Sequence, residues 1–232
     1  MTPIYLIGDI HGKFDDLFLI IKEFGLSDCM MYCVGDVGIG FAANHKKELR
    51  QINLYNNWFG KRNIIFSAIR GNHDNPAYFD GSYALSNFRL LPDYFTVKLN
   101  GQKWQFVGGA TSIDRTYRVE GKSYWAGEGF NFHQERAEKS DVLVIHSAPD
   151  WIGPNDANEN VRYWAAQDSK LLAELRSERA EVGALVDLVS PKSLYAGHFH
   201  VSENIVRRLN GNTVVNARIL NELEIYEHKN SE

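Results

Sequence analysis

The chain has 232 residues, 44 % of them hydrophobic, and this size predicts one domain over residues 1–232 with a sizeable core. The net charge of −4 provides no general attraction for nucleic acid, so extended nucleic-acid binding is not expected. No apolar run approaches the roughly 20 residues needed to cross a bilayer, which excludes a membrane-spanning chain.

The first thirty residues do not have the pattern of a signal peptide. Basic Lys13 and Lys22 are mixed with acidic Asp15 and Asp16, and no small-residue cleavage site follows an apolar stretch. We therefore expect the protein in the cytoplasm.

Strand and helix patterns alternate in the first half of the chain. Ile4 to Ile7 is a short apolar run, and the apolar residues of 14–24 then recur at helical spacing. Further strands are predicted at Met30 to Val34 and at Ile64 to Ile69, separated by a helix that carries Leu49, Ile52, Leu54 and Trp58. Such alternation favours α/β organisation.

From residue 94 onward the strands are predicted in hairpins as well. Asn100-Gly101, a dipeptide typical of tight turns, separates Tyr94–Leu99 from Lys103–Val107. A buried strand at Val142–Ile145, a helix over 168–188 and a short strand at Leu194–Ala196 follow.

The C-terminal region is predicted to be an antiparallel meander. Asn210-Gly211 lies between Glu203–Leu209 and Thr213–Ala217, and Glu222–Tyr226 follows with alternating character. Mixed β-sheets covered by helices fit the whole pattern best.

Five short segments rich in Asp, His and Asn follow predicted strands: Gly8-Asp9-Ile10-His11-Gly12, Gly35-Asp36, Gly71-Asn72-His73-Asp74, His146, and Gly197-His198-Phe199-His200. Any one of them has an ordinary explanation as a turn or as a structural histidine. Together they favour one site, because the carboxyl ends of strands in α/β sheets form the crevice where ligands bind.

The residue types in these segments indicate a metal site. Aspartate, asparagine and imidazole suit Mn²⁺, Fe and Zn²⁺, and Mn²⁺ is the ion we expect first. The groups exceed the needs of one ion. They suit two divalent ions about 3.5–4 Å apart that share a carboxylate and activate water for attack on a phosphoester.

The order of these motifs resembles that of the calcineurin-like metallophosphoesterases, and the resemblance spans residues 8–200. It implies an α/β fold, a four-layer αββα sandwich of two mixed β-sheets flanked by helices. It also implies hydrolysis of a small phosphomonoester or phosphodiester, with a nucleotide among the candidate substrates.

The same resemblance assigns roles to individual residues. Asp9, His11 and His200 would hold the first metal, Asn72, His146 and His198 the second, and Asp36 would bridge them. His73 would not be a ligand but would donate a proton to the leaving-group oxygen. Asn72 would also contact the substrate.

The sequence departs from the protein Ser/Thr phosphatase branch of this family at Ile39 and Gly40. These residues stand where that branch has an aspartate and an arginine. Segment 108–132 is the candidate for compensating, with Arg115 and Arg118 as predicted substrate-binding residues. The alternative, weighed equally, is an ordinary loop whose aromatic residues fill the core. Arg70 could likewise face the phosphate or pair with a neighbouring carboxylate.

Three functions are therefore open on the sequence. The first is a metal-dependent hydrolase of a small phosphoester. The second is a protein Ser/Thr phosphatase acting on a phosphoprotein, which needs an arginine from elsewhere in the chain. The third is a metal-binding scaffold without catalysis, which is disfavoured because every expected ligand and His73 are present.

Overall fold

A computed structural model describes residues 1–42 and 44–229. Within them, no helix is both long and apolar enough to span a bilayer. The helices are α1 (Phe14–Glu23), α2 (His45–Gly60), α3 (Glu159–Ala165) and α4 (Leu171–Val189). The strands are β1 (Ile4–Ile7), β2 (Met30–Cys33), β3 (Ile65–Ala68), β4 (Phe88–Leu90), β5 (Phe95–Leu99), β6 (Gln102–Val107), β7 (Val142–Ile145), β8 (Ser193–Ala196), β9 (Glu203–Arg208), β10 (Val214–Ile219) and β11 (Ile225–Glu227).

The strands form two mixed sheets. The first has the order β11-β1-β2-β3-β4, in which β1 to β4 are parallel and β11 is antiparallel to β1. The second has the order β5-β6-β7-β8-β10-β9, with β6, β7, β8 and β10 parallel and with antiparallel strands at both edges. Parallel strands therefore occupy the centre of both sheets.

Successive side chains of a strand point to opposite faces of its sheet, so each sheet packs on the other sheet with one face and on helices with the other. The result is four layers. In β1, Ile4 and Leu6 pack between the sheets, in one cluster with Trp104 and Phe106 of β6. Ile7 points to the opposite face and belongs to the cluster that contains α1 and α2. The outer face of the second sheet is covered by α4. The predicted four-layer arrangement of two mixed sheets between helices is confirmed.

Local sequence signals explain several of the boundaries. Asp15 and Asp16 lie in the first turn of α1, where carboxylates favour the helix dipole. The side chain of Asn44 caps α2 by accepting from the Lys47 amide at 3.1 Å. The predicted hairpin of β5 and β6 is confirmed, with Asn100 and Gly101 at positive φ in its turn.

The predicted C-terminal meander is wrong in its last strand. β9 and β10 pair as expected, but β11 leaves the second sheet and pairs with β1 at the edge of the first. This pairing joins residues more than 200 positions apart, and no local pattern signals it. The sequence reading also missed α3 and β4, which are only 7 and 3 residues long.

Candidate metal centre and active-site cavity

The five polar segments all follow the carboxyl ends of parallel strands, as predicted. Three come from the first sheet, after β1, β2 and β3, and two from the second, after β7 and β8. The two sheets pack face to face, so the ends of these strands open into one crevice. The structure thereby brings together all seven predicted ligands, Asp9, His11, Asp36, Asn72, His146, His198 and His200.

One group consists of Asp9, His11, Asp36 and His200, whose ligand atoms all lie within 4.8 Å of one another. Nε2 of His200 is 3.2 Å from Oδ2 of Asp9. Nε2 of His11 is 2.9 Å from Nε2 of His200 and 3.7 Å from Oδ2 of Asp36. Asp9 is fully buried and His200 is exposed, so this group reaches from the interior to the surface.

A second group consists of Asp36, His146 and His198, joined by Asn72. Oδ1 of Asn72 lies 3.2 Å from Nε2 of His146 and 2.9 Å from Nδ1 of His198. Nε2 of His146 is 3.3 Å from Oδ1 of Asp36. Asp36 thus contributes one oxygen to each group.

Glycines make this convergence sterically feasible. A Cβ atom at Gly71 would lie 2.0 Å from Oδ1 of Asp36, and one at Gly197 would lie 2.3 Å from Oδ1 of Asp9. Any side chain at these two positions would displace a carboxylate of the cluster. The glycines beside the motifs are therefore required for close approach as well as for turning the chain.

Four of the converging residues have a left-handed backbone, with φ of 49° at His11, 49° at Asp36, 69° at His198 and 51° at His200. Such conformations cost about 1–3 kcal/mol each and persist only where the surroundings impose them. Asp74 is part of those surroundings. Its buried carboxylate accepts from the amides of residues 37, 38, 39 and 71, which ties the loop after β2 to the loop after β3.

The donor set fits divalent cations. Nδ1 of His146 donates to the carbonyl of Val34 at 2.8 Å, so Nε2 faces the oxygens of Asp36 and Asn72. Burial lowers the pKa of His146, but Asp36 outweighs burial and raises it to about 9, so without a metal Nε2 carries a proton that these oxygens accept. A bound cation would take the place of this proton, and neutral imidazole with carboxylate is a ligand set that divalent transition metals prefer.

Burial and neighbouring charges perturb the ionisation of the site. Burial opposes the ionisation of Asp36, but the adjacent His146 and other imidazoles outweigh it and hold the pKa of this carboxyl well below its usual range. Burial, with His146 adding to it, lowers the pKa of His198 to about 3. An ionised carboxylate and a neutral imidazole are the forms that bind a metal.

Ser112 is a functional residue that the sequence reading missed. Nδ2 of Asn72 donates to Oγ of Ser112 at 3.0 Å, and both residues are almost fully buried. In this orientation Oδ1 of Asn72 faces His146 and His198. The signal available in the sequence was only that Ser112 lies in segment 108–132.

His73 lies at the edge of the cluster, with its ring centroid 4.8 Å from that of His11. Its partner is Arg118, whose Nη2 is 2.7 Å from Nε2 of His73. A guanidinium only donates, so Nε2 accepts and His73 is neutral. Burial lowers the pKa of His73 to about 4, with Asp36 opposing and Arg118 adding to the effect. The neighbouring carboxylate of Asp74 does not pair with this histidine, because it accepts from backbone amides.

The two arginines of segment 108–132 face different ways. Arg118 lines the cavity beside His73, and its Nε lies 2.7 Å from Oδ1 of Asp114 in an ion pair without hydrogen-bond geometry. Arg115 turns away from the cavity and pairs with Asp168, at 2.7 Å, and with Glu174. The structure therefore brings only Arg118 to the site.

Segment 108–132 both lines the site and fills the core. The two alternatives, a substrate-binding segment and a loop whose aromatic residues fill the core, each describe part of it. Ile113 and Arg118 line the cavity, whereas Phe130 is buried in the core beside α4. Arg70 holds the segment in place by pairing with Asp93 at 2.7 Å and donating to the carbonyls of residues 127, 128 and 129. Arg70 consequently does not face the cluster.

A cavity of about 490 Å³ opens beside the metal ligands. Its floor contains Asp36, Asn72, His73, His198 and His200. Its walls come from residues 113–118, from residues 154–164 around α3, and from α4. The volume lies within the roughly 300–1,000 Å³ typical of small-molecule sites.

The fold and this cluster define an α/β protein with candidate metal ligands at the carboxyl ends of its strands. The model of the calcineurin-like phosphoesterase family matches residues 2–202. The chain belongs to the calcineurin-like phosphoesterase family and is a metal-dependent phosphoester hydrolase. The scaffold alternative without catalysis is disfavoured, because every expected ligand and His73 are present and the ligands converge.

Two solved structures show distant similarity. A novel archaeal phosphodiesterase is 12 % identical, with 98 % of this chain and 99 % of that chain covered and a TM-score of 0.38. A sulfate thiohydrolase of Thermus thermophilus, solved with glycerol, is also 12 % identical, with 93 % of this chain and 38 % of that chain covered and a TM-score of 0.36. A comparison with curated proteins found no match.

Proposed function

We propose that this protein hydrolyses a small phosphoester with two divalent metal ions that share Asp36. The observation that carries the proposal is the position of this carboxylate. Its Oδ1 lies 3.3 Å from Nε2 of His146 and its Oδ2 lies 3.7 Å from Nε2 of His11, so one buried side chain faces two groups of ligands.

The proposed ligands are Asp9, His11 and His200 for one ion and Asn72, His146 and His198 for the other. When bound, such an ion pair polarises a phosphoryl oxygen and lowers the pKa of water. Mn²⁺ is the proposed ion, with Fe or Zn²⁺ as alternatives of the same ligand preference. The cytoplasmic location and the single domain over 1–232 stay predictions.

His73 and Arg118 are proposed to act on the phosphate as one hydrogen-bonded unit. Arg118 provides the cationic donor that a phosphate oxygen requires. When Arg118 turns to the phosphate, Nε2 of His73 is free to take up a proton from solvent. His73 would then donate this proton to the leaving-group oxygen, while the attacking water would lose its own proton to solvent on the opposite side of the phosphorus. Asn72 borders the same space and is proposed to contact the substrate.

A protein Ser/Thr phosphatase is less well supported than an enzyme for small substrates. Arg115, one of two arginines expected to compensate for the departure at Ile39 and Gly40, is committed to Asp168 and Glu174. In addition, residues 154–164 and segment 108–132 both line the cavity, and the rings of Tyr117 and Trp164 hold these two walls in contact. A cavity confined by two walls favours a small ester over a phosphoprotein.

The experiment that tests the proposal is hydrolysis of p-nitrophenyl phosphate and bis-p-nitrophenyl phosphate by metal-stripped protein resupplied with Mn²⁺. We expect metal-dependent turnover of at least one ester and its loss in Asp36→Ala. The control is Asp16→Ala, which removes an exposed carboxylate of α1. Turnover that survives metal removal, or that is equal in Asp36→Ala and the wild type, would contradict the proposal.

A further inference from the structure

We infer that Glu128 is a positioning residue for the metal centre. Its carboxylate orients the hydroxyl group of Ser112, and this hydroxyl group orients the side-chain amide of Asn72. The three side chains form a buried path, with exposed fractions of 2 % for Asn72, 1 % for Ser112 and 2 % for Glu128. The inference rests on the proposed two-metal centre and gives a residue of segment 108–132 a part in metal binding.

Asn72 and Ser112 alone do not determine which way the amide points. In the structure, Nδ2 of Asn72 donates to Oγ of Ser112 at 3.0 Å, and Oδ1 lies 2.9 Å from Nδ1 of His198. A half turn of the amide would exchange these two atoms and point a donor at the metal site. A serine hydroxyl group can donate or accept, so it is compatible with both orientations.

Glu128 restricts Ser112 to one of these roles. The amides of Ser112 and Trp125 donate to its Oε1 and Oε2 at 3.2 and 3.3 Å, so both oxygens act as acceptors. Burial raises the pKa of Glu128, and hydrogen bonding by the Ser112 side chain opposes this shift. Since a carboxylate only accepts, the hydroxyl proton of Ser112 goes to Glu128. Oγ is then left as an acceptor, and only Nδ2 of Asn72 can face it.

The carboxylate of Glu128 is positioned by the same loop that carries Asn72. Nη1 of Arg70 donates to the backbone carbonyl of Glu128 at 2.6 Å, and the amide of Ala110 donates to the same oxygen at 3.2 Å. Arg70 and Asn72 lie two residues apart in the loop after β3. The path from Asn72 through Ser112 and Glu128 therefore returns to its starting loop, which fixes the position of Glu128 relative to the ligand.

The test is titration of the metal-stripped protein with Mn²⁺, monitored by calorimetry, in the wild type and in Glu128→Gln. A glutamine side chain has one oxygen and one NH₂ group, so it cannot accept from both backbone amides and from Ser112. We expect the affinity for one ion to fall by about 10-fold, the lower end of the range for partners of a ligand. The other affinity should not change. Glu120→Gln, at an exposed glutamate of the same segment, is the matched control.

Two further backgrounds identify the ion that responds. His200→Ala damages the group around Asp9, and His146→Ala damages the group around Asn72. Glu128→Gln should weaken binding of the ion that remains in His200→Ala. It should leave the affinity of the ion that remains in His146→Ala unchanged.

A double-mutant cycle separates positioning from a general structural effect. In Ser112→Ala the path is already broken, so adding Glu128→Gln should cause no further loss of affinity. A purely structural role of Glu128 would lower the affinity by the same factor with and without Ser112. If Glu128→Gln does not fold, Glu128→Asp keeps the carboxylate but shortens its reach, and it should show the same loss for one ion.

Wild-type affinities in the Glu128 variants would overturn the inference. An equal loss for both ions, or an undiminished further loss in Ser112→Ala, would also overturn it. In each of these cases two ions bound by the wild type would leave the proposed function intact. Fewer than two Mn²⁺ ions bound by the wild type would instead contradict the proposed function.

Discussion

The side-chain amide of Asn72 ends in an oxygen, Oδ1, and a nitrogen, Nδ2. Asn72 can bind a metal only in the orientation that points Oδ1 into the site. Its Nδ2 donates to Ser112, and its Oδ1 consequently faces the imidazoles of His146 and His198. If the amide turned over, a donor would point at the metal site. Ser112 is therefore proposed as the residue that selects the productive orientation.

Ser112→Ala is expected to weaken binding of one metal ion by about 10- to 100-fold, the usual effect of losing a hydrogen-bond partner of a ligand. The second ion should bind as before, because Ser112 does not touch the group around Asp9. Metal titration monitored by calorimetry measures both affinities. Ser140→Ala is the control, since this buried serine donates to a backbone carbonyl outside the cavity lining. Equal affinities in the two variants would rule out the proposed role.

His73 differs from the expected catalytic histidine in its partner. A protonated imidazole beside two metal ions needs a carboxylate or carbonyl partner, whereas the structure provides Arg118 at 2.7 Å. The histidine is therefore neutral here, and its proposed action as a proton donor depends on movement of Arg118. Proton donation and simple positioning of Arg118 predict different kinetics.

His73→Ala is expected to lower turnover by about 10²–10⁴-fold with unchanged metal content. If His73 protonates the leaving group, the loss must be larger for a phenyl ester than for a p-nitrophenyl ester, because p-nitrophenolate leaves readily without a proton. Steady-state kinetics with both esters measures this, with the exposed His133→Ala as control. Equal losses for both esters would mean that His73 only positions Arg118.

At the scale of elements, the sequence predicted what local patterns encode. The short apolar runs and the polar segments that follow them located β1, β2, β3, β7 and β8, and with them the positions of the seven candidate ligands. Asn100-Gly101 located the hairpin of β5 and β6. These signals are contained in a few neighbouring residues, so no knowledge of distant partners was needed.

Apart from the short elements α3 and β4, the missed features depend on distant partners. Arg115 and Arg118 are three residues apart, and only the position of Asp168 and Glu174 decides that the first turns away from the cavity. The wall of the active-site cavity requires Trp164 of α3 to meet segment 108–132, which the sequence does not indicate. Likewise, β11 joins β1 through backbone pairing that carries no residue-specific signal.

Arg70→Lys tests how segment 108–132 is held. A lysine cannot reproduce the fork that bonds Asp93 and three backbone carbonyls. We expect the free energy of unfolding to fall by about 1–3 kcal/mol, and we expect faster proteolysis within the segment. Urea unfolding and limited proteolysis measure these effects, with the exposed Arg50→Lys as control. An unchanged rate of proteolysis within segment 108–132 would contradict the role of Arg70 in holding it in place.

Glu178 of α4 connects the loops after β6 and β7, through Thr111 and Ser147. Burial raises its pKa, although both hydroxyl groups oppose the shift. Because folding raises the pKa of Glu178, this group contributes fully to the free energy of unfolding below its unfolded-state pKa, about 4.3. The contribution is lost as pH rises through the folded-state pKa. The wild type is therefore expected to lose stability relative to Glu178→Gln as pH increases.

Urea unfolding of both proteins at several pH values between 4 and 8 measures this difference. Contributions from the other titrating groups are common to both proteins and cancel in the comparison. A difference in unfolding free energy that does not change with pH would show that Glu178 titrates normally.

At the scale of the whole molecule, the packing of the two sheets completes the candidate metal site. Each sheet alone supplies an incomplete ligand set: Asp9, His11, Asp36 and Asn72 follow strands of the first sheet, and His146, His198 and His200 follow strands of the second. Packing of the sheets around the buried cluster of Leu6, Trp104 and their neighbours brings these sets together. Metal binding is thus expected to require the complete fold.

The central claim is that Asp36 is shared by two metal ions, and metal content per chain tests it most directly. We expect two Mn²⁺ ions in the wild type, about one in His200→Ala and in His146→Ala, which each damage one group, and loss of both in Asp36→Ala. Elemental analysis after dialysis against Mn²⁺ and desalting provides the count. One ion in the wild type, or two ions retained by Asp36→Ala, would contradict the account.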